Sequence, residues 1–212
     1  MYEPARRVVT RSKGRVVGYF YSRKNRRQIA WESQLERDCM RVLDVLPEVV
    51  KYKAQPFRFI YECDGRSRFY YPDIEVLTRT GRKILEVKPV KKLFEHGVLE
   101  RLELMREMLR EEGYGFEVWT EDQIRKEPLW SNVKLLQPYR LLGGTLYSVL
   151  SIYRAFNGHD RISIGELAKE VSADNALEAV LPYIAEGKLC VDLNEPITAD
   201  SLVWFYEGEI KK

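Results

Sequence analysis

The sequence predicts an α/β protein in two parts. The first part has the element order α-β-β-β-α-β around a mixed sheet, and the second has three helices followed by a β-hairpin. Three observations support this fold class. An amphipathic helix precedes three strand-like segments with turn signals between them. A long charged helix then leads to a fourth short strand. A stretch rich in Pro, Ser, Asn and Gln separates these elements from the second group of helices.

The first helix is predicted over Trp31–Leu46, because apolar residues recur there at spacings of three and four, and Pro47 ends it. On a helical wheel the apolar face spans about 120°. Glu32 lies inside this arc and Glu36 lies at its edge. Either glutamate can therefore face the sheet, and the helix pattern alone does not choose between them.

The strands of the first part are predicted from alternation and turn signals. Asp64-Gly65 and Thr80-Gly81 provide turns between three strands: Pro56–Cys63, Arg68–Thr78 and Arg82–Pro89. A charged helix over Leu93–Gly113 and a short strand over Phe116–Thr120 follow. A strand–helix–strand connection is right-handed and runs back to the sheet, so this last strand is expected to be parallel to its partner.

Four segments are predicted along the chain. A basic N-terminal arm covers residues 1–30, an α/β domain covers 31–127, a linker covers 128–140, and a winged-helix-like domain covers 141–212. The last assignment rests on the order of three helices and then strand, turn and strand, which is the order of winged helices.

The charge is distributed unevenly although its net value is only +3. Residues 1–30 carry nine Lys or Arg and one acid, whereas residues 141–212 carry six bases and 11 acids. A basic arm contacts nucleic-acid phosphates or forms a solvated tail. The run Ser22–Gln28 favours phosphate contact, and its candidate DNA contacts are Arg23, Lys24, Arg26 and Arg27. The acidic second domain is expected to dock a protein partner or the first domain, because it would repel DNA.

Several classes of protein are disfavoured. No apolar run approaches the roughly 20 residues that span a bilayer, and no apolar block follows the early basic residues as it does in a signal peptide. Cys39, Cys63 and Cys190 are odd in number and widely spaced, which indicates reduced thiols rather than a disulfide framework or a zinc knuckle. A cytoplasmic protein without membrane contact is expected.

Charged residues at strand positions mark a candidate site. Glu86 and Lys88 share one face of the third strand, while Leu85 and Val87 point into a core on the other face. Asp73 lies on the neighbouring strand, and counting back from the turn places it level with them. Two carboxylates are suited to Mg²⁺, which prefers oxygen ligands and activates water for phosphodiester hydrolysis. A lysine beside the metal can orient that water or stabilise the transition state.

These residues resemble a known nuclease signature. "YPD" (Tyr71–Asp73), 12 residues, and then "EVK" (Glu86–Lys88) look like the motif of the PD-(D/E)xK superfamily, whose restriction-endonuclease-like core has the α-β-β-β-α-β order. "WESQLERD" before "VVKYKAQPFRFIY" is similar to the catalytic domain of TnsA-type transposon endonucleases. The winged-helix-like tail also fits the two-domain plan of that family, so the resemblance covers nearly the whole chain.

The resemblance implies roles for individual residues. Glu36, Asp73 and Glu86 would be metal ligands, and Lys88 would be the catalytic lysine. Glu36 is preferred to Glu32 on the family match, and Glu32 is left as a supporting residue behind the ligands. Gln55 is expected to contact DNA or the active-site loop, or to stabilise a turn. The expected cofactor is Mg²⁺, with Mn²⁺ as an accepted substitute.

The resemblance also implies a function and its partners. Such an enzyme is a DNA endonuclease that cleaves the 5′ ends of a cut-and-paste transposon, in double-stranded DNA. It works beside a DDE transposase and an AAA+ ATPase regulator, in a bacterial cell or encoded by a phage. Two alternatives stay open: a restriction, repair, junction-resolving or phage genome-processing nuclease on the same fold, and a non-catalytic DNA-binding or scaffold subunit.

Overall fold

A computed structural model describes residues 16–63, 65–140, 147 and 149–206, without the side chain of Cys63. The chain divides into two compact units, residues 1–125 and 126–212. Both contain helices and strands, so the α/β class predicted from the sequence is confirmed. In the described part of the chain, no helix is long and apolar enough to cross a membrane.

The described part of the first unit begins with a β-hairpin, in a stretch that the sequence predicted to belong to a basic arm. Strands β1 (Gly18–Ser22) and β2 (Arg27–Trp31) pair antiparallel. The remainder of the predicted arm, residues 1–15, lies outside the described residues. Helix α1 (Gln34–Val45) follows, and it starts later than predicted because Trp31 belongs to β2. Ser33 is the N-cap, and its hydroxyl accepts a hydrogen bond from the Glu36 amide.

A four-stranded mixed sheet forms the centre of the first unit. Its spatial order is β3 (Val49–Ala54), β6 (Ile74–Thr78), β7 (Arg82–Val87) and β8 (Gly115–Trp119). The first three strands are antiparallel, and β8 is parallel to β7, as the crossover argument predicted. The sequence analysis assigned no strand to Val49–Ala54. A β-bulge between Val49 and Lys51 interrupts its period of two, which hides the pattern.

The first predicted strand lies outside this sheet. Residues Phe59–Cys63 (β4) instead pair with Arg66–Tyr70 (β5) as a separate hairpin. This hairpin lies between β3 and β6 in the chain, although β3 and β6 are neighbours in the sheet. The second predicted strand, Arg68–Thr78, is consequently two strands, β5 and β6. Pro72 lies at the break between them and has no amide hydrogen to donate to a sheet.

Helices cover both faces of the sheet. Helix α2 (Val90–Leu93) and helix α3 (Val98–Glu111) replace the single helix predicted from Leu93, because Gly97 takes a left-handed conformation with φ 73°. Helix α4 (Glu121–Ile124) follows β8. Met105 and Leu109 of α3 pack with the β4–β5 hairpin and Ile84 in one buried cluster. Helix α1 packs on the opposite face, where the Tyr52 hydroxyl donates to the Met40 carbonyl at 3.3 Å.

Among its described residues, the second unit contains the three predicted helices and the two predicted strands, and in addition one helix, a 3₁₀ turn and a two-residue strand. Its members in chain order are α5 (Leu129–Leu136), a 3₁₀ turn (Pro138–Arg140), α6 (Val149–Ala155), β9 (Ile162–Ser163), α7 (Ile164–Glu170), α8 (Ala176–Ala185), β10 (Leu189–Val191) and β11 (Leu202–Phe205). Its strands form an antiparallel sheet in the order β10-β11-β9.

Residues 128–140 differ from the linker that the sequence predicted. Val133 and Leu136 of α5 are fully buried. Asn132 donates to the carbonyls of Leu193 and Glu195 at 3.0 and 2.8 Å, and accepts from the amide of Ile197 at 3.1 Å. The polar composition of this segment was misleading, because the Asn132 amide is used inside the unit rather than in solvent.

Candidate active site

The predicted catalytic residues line one cavity of about 420 Å³ in the first unit. It lies where the N-terminal end of α1 meets the ends of β6 and β7. Its charged lining consists of Glu32, Glu36, Asp73, Glu86, Lys88 and Lys92. The four residues proposed as catalytic from the sequence are therefore brought together, although Glu36 and Asp73 are 37 residues apart in the chain.

Hydrogen bonds from two backbone amides hold Asp73 in place beside the cavity. The Gln55 amide donates to the Asp73 carbonyl at 2.8 Å. The carboxylate of Asp73 in turn accepts from the Val87 amide at 2.8 Å. The β6–β7 ladder ends at the pair Ile74–Leu85, so Asp73 lies just beyond it, at the level of Glu86. The side-chain carboxylate thus extends the pairing of β6 with β7 and is anchored beside Glu86.

Both carboxylate oxygens of Glu86 have donors. Lys88 Nζ donates to Oε1 at 2.7 Å, and the Tyr70 hydroxyl donates to Oε2 at 2.7 Å. Glu86 itself is buried. Burial and the neighbouring Glu86 charge raise the pKa of Tyr70, which keeps the phenol protonated as a donor. The backbone of Lys88 is fixed by a hydrogen bond from its amide to the Trp119 carbonyl at 3.0 Å.

Glu36 reaches the cavity from the first turn of α1. Its carboxylate accepts from the Glu32 amide at 2.9 Å and from the Ser33 hydroxyl at 3.0 Å. Burial is the main reason that the pKa of Glu36 is raised, and the negative charges of Glu32 and Glu86 raise it further. Glu36 is thus a helix-capping residue and an acid of the site at once. Glu32 lines the same cavity, and its supporting role stays a prediction.

The acids of the cavity repel one another. Burial raises the pKa of Asp73 well above its ordinary value, and the charges of Glu86 and then Glu36 raise it further. The oxygen donors of three carboxylates suit a divalent cation in their chemistry, because such a cation prefers oxygen ligands and would relieve the repulsion. Among the described residues, no group of three or more Asp, Glu, His or Cys side chains lies close enough together to hold a metal ion. Each oxygen of Glu86 that accepts a hydrogen bond keeps a second lone pair for a ligand bond.

Comparison with known protein families identifies this part of the chain. Residues 46–121 match the family model described as TnsA-like endonuclease N terminal. The match runs from the end of α1 to the start of α4 and contains Asp73, Glu86 and Lys88. This segment of the chain is similar to the N-terminal domain of TnsA-like endonucleases. The predicted resemblance is thereby confirmed for residues 46–121, and the match indicates a nuclease related to Tn7 transposition. No curated protein matches the chain.

The TnsA-like domain does not bring the predicted DNA contacts of the basic run to this cavity. Arg23, Lys24 and Arg26 form the turn of the β1–β2 hairpin, and Arg27 starts β2. The Lys24 ammonium donates to the carbonyls of Leu46 and Val49, at the C-terminal end of α1. A helix of 12 residues is about 18 Å long, so this turn lies a helix length from Glu36. Lys24 and the Arg23 amide thus tie the turn of the hairpin to α1, and phosphate contact by the run stays a prediction.

Gln55 has a structural position rather than an exposed one. It is buried, it adopts a left-handed backbone with φ 45°, and its amide holds the Asp73 carbonyl. Glu75 lies on β6, two residues beyond Asp73, and it is also buried. It faces Lys53 at 3.7 Å and Arg82 at 3.9 Å instead of entering the site.

Sequence reasoning missed Tyr70, Ser33 and Lys92. Ser33 could have been found, because Ser-x-x-Glu before an apolar helical pattern is a capping-box signature. Lys92 has the signal of a lysine pair just after "EVKP". Tyr70 has no comparable signal. It reaches Glu86 only because β5 folds back on β4 and ends beside β7.

Proposed function

We propose that the protein is a Mg²⁺-dependent DNA endonuclease that cleaves the 5′ strands at the ends of a transposon, beside a DDE transposase and an AAA+ regulator. The observation that carries this proposal is the convergence of Asp73, Glu86 and Lys88 in one cavity of a TnsA-like domain. Mn²⁺ is expected to replace Mg²⁺, because both accept oxygen ligands.

Each residue has a part to play in the proposed reaction. Asp73, Glu86 and Glu36 would hold the cation, which when bound supplies an activated water and stabilises charge on the phosphate. Lys88 lies 2.7 Å from Glu86, where its ammonium can orient the attacking water or neutralise the developing phosphate charge. Tyr70 holds the second Glu86 oxygen and so fixes the orientation of that carboxylate.

Strand-specific cleavage of transposon-end DNA, with the co-encoded transposase present, tests the proposal. We expect Lys88→Ala to lower the rate by about 10³-fold, the middle of the range for a general acid–base or electrostatic group. Lys53→Ala is the matched control, because Lys53 is half exposed on β3 and outside the cavity. Equal cleavage by wild type and Lys88→Ala would contradict the assignment. A chain encoded without a transposase nearby would favour the restriction or repair alternative.

The second unit is proposed to be a winged-helix-like domain that docks a protein. The order α6, α7, α8 and then β10 and β11 supports this architecture. Acids outnumber bases in residues 141–212, which disfavours close contact with phosphates. Photocrosslinking the full chain to DNA should therefore label the first unit and leave residues 149–206 unlabelled. Salt-sensitive DNA crosslinks on α8 would contradict the docking role.

A further inference from the structure

A short segment at the edge of the cavity begins with the proposed catalytic lysine and continues with residues to which the proposed reaction gives no role. Residues 88–94, here called the rim segment, read Lys-Pro-Val-Lys-Lys-Leu-Phe and continue directly from the catalytic lysine. Lys88, Pro89 and Lys92 line the cavity. Phe94 is 78% exposed, the highest value among the large hydrophobic side chains that the structure describes.

Hydrogen bonds fix the shape of the rim segment. The Val90 amide donates to the Glu121 carboxylate at 2.9 Å, and the Lys92 amide donates to the Pro89 carbonyl at 2.8 Å. The Glu95 amide then donates to the Lys92 carbonyl at 3.4 Å. The turn is therefore tied to α4 on one side and closed on itself on the other. Phe94 is presented to solvent from this turn.

The charge of the rim segment suits a polyanion. It contains three lysines and no acid, although the cavity beside it is lined with acids. A phosphate that enters the cavity belongs to a strand whose neighbouring phosphates follow at about 3.4 Å of axial rise each. These flanking phosphates must pass over the cavity wall. Lys92 forms part of that wall and Lys91 is exposed next to it.

We propose that the rim segment is a DNA-contacting edge, in which Lys91 and Lys92 bind the phosphates that flank the scissile one and Phe94 packs on the adjacent bases. This inference rests on the proposed nuclease function of the cavity. An exposed phenyl ring among phosphate-binding lysines is the combination that stacks on bases or wedges between them. It adds a base contact to a site that otherwise offers only phosphate-binding and catalytic groups.

A protein partner is the competing occupant. Leu99, on the first turn of α3, is 55% exposed and could form an apolar patch with Phe94. The lysines favour DNA, because Lys92 lines the cavity into which the phosphate must pass. The two occupants differ in one measurable respect: only the DNA contact makes Phe94 matter in the absence of other proteins.

Fluorescence anisotropy of the full chain with a labelled DNA duplex tests the inference, with Ca²⁺ replacing Mg²⁺ to slow hydrolysis. We expect Phe94→Ala to weaken binding about tenfold, or ~1.4 kcal/mol, without changing the salt dependence. The double variant Lys91→Ala/Lys92→Ala should instead reduce the slope of log K against log salt by about 2, because each phosphate contact contributes roughly 0.9. Phe94→Trp should restore the affinity.

Leu77→Ala is the matched control for loss of an exposed apolar side chain. Leu77 is 37% exposed and lies four strand positions from Asp73, about 13 Å along β6. The DNA affinity of Leu77→Ala should equal that of wild type. Wild-type DNA affinity of Phe94→Ala would overturn the inference. If that variant also lost binding of the transposase, the protein partner would be the occupant instead. Failure of the nuclease proposal would look different: wild type and Lys88→Ala would then cleave equally.

Discussion

Buried acids at the two ends of helix α1 have different surroundings. At the C-terminal end, Asp44 accepts hydrogen bonds from the Ser22 hydroxyl at 2.7 Å, the Tyr52 hydroxyl at 3.0 Å and the Arg23 amide at 3.1 Å. At the N-terminal end, Glu36 shares a cavity with Asp73 and Glu86. Burial raises the pKa of both Glu36 and Asp73, and the charge of Glu86 raises both further. Asp44 therefore has donors around it, whereas the acids of the candidate site have donors and also lie beside one another.

Asp38 in the middle of the same helix follows the first pattern. Its Oδ2 accepts from Arg125 through Nε at 3.0 Å and Nη2 at 2.8 Å, while Arg37 binds Oδ1 at 3.0 Å. The transition from paired to repelling acids thus occurs within about one turn, between Asp38 and Glu36. Groups held in a costly arrangement are candidates for function, because a bound ligand can relieve the cost.

The sharpest test of this contrast replaces one acid at each end. Asp73→Asn should lower the cleavage rate by about 10³-fold, because it removes a ligand of the proposed cation while leaving an acceptor for the Val87 amide. Asp44→Asn should leave the rate per folded molecule unchanged. Rates are normalised to the folded fraction, measured by circular dichroism. Comparable losses in both variants would remove the functional distinction between the two ends.

Stability should respond in the reverse order. Asp44→Ala should lower the free energy of unfolding by about 3 kcal/mol, because the hydroxyls of Ser22 and Tyr52 and the amide of Arg23 lose their acceptor. Urea denaturation followed by tryptophan fluorescence measures this change. Glu75→Gln is a control, since its ion pairs are longer than 3.5 Å and its partners are half exposed or more. A loss of less than 1 kcal/mol for Asp44→Ala would contradict the structural role.

Tyr70→Phe should produce an intermediate effect on activity. It removes one hydrogen bond to a carboxylate, worth roughly 1.4 kcal/mol, and so should slow cleavage about tenfold without abolishing it. The affinity for Mn²⁺, measured by calorimetry, should fall by a comparable factor, because Glu86 is then less well oriented. Unchanged cleavage and unchanged metal affinity together would show that Tyr70 only fills space.

The smallest expected effect is a pH dependence of stability. Because the pKa of Asp73 is raised in the folded protein, the folded state keeps this proton at pH values where the unfolded chain has released it. The stability of the wild type therefore falls as pH rises from near 3.8, the ordinary value for aspartate, to the raised pKa of Asp73. Glu36 acts in the same direction. Asp73→Asn should thus melt at a higher temperature than wild type at pH 8, and the difference should vanish below about pH 4.

Adding Mg²⁺ to the same melting experiment gives a second comparison of the two proteins. At pH 8 it should raise the melting temperature of the wild type, because the cation binds the charged carboxylates of the folded state. It should raise that of Asp73→Asn less. An identical response of the two proteins to Mg²⁺, or a variant less stable than wild type at pH 8, would contradict the picture of repelling acids.

Local patterns predicted the part of the site that lies on adjacent strands. Alternation placed Glu86 and Lys88 on one face with Leu85 and Val87 buried on the other, and the structure has this arrangement. Counting from the turn placed Asp73 level with Glu86, because a short hairpin determines its own register. The same reasoning failed for Pro56–Cys63, since alternation shows that a segment is a strand but not which sheet it joins.

The sequence by itself determined the element types of the core apart from strand β3, the Asp73–Glu86–Lys88 motif and the family resemblance, because these depend on residues close together in the chain. Only the tertiary structure decided that Tyr70 holds Glu86, that Lys24 anchors a hairpin instead of lining the cavity, and that residues 129–136 form a packed helix. Each of these depends on which distant surface a side chain meets. Burial and repulsion between acids, which set the electrostatics of the site, likewise arise only when α1, β6 and β7 come together.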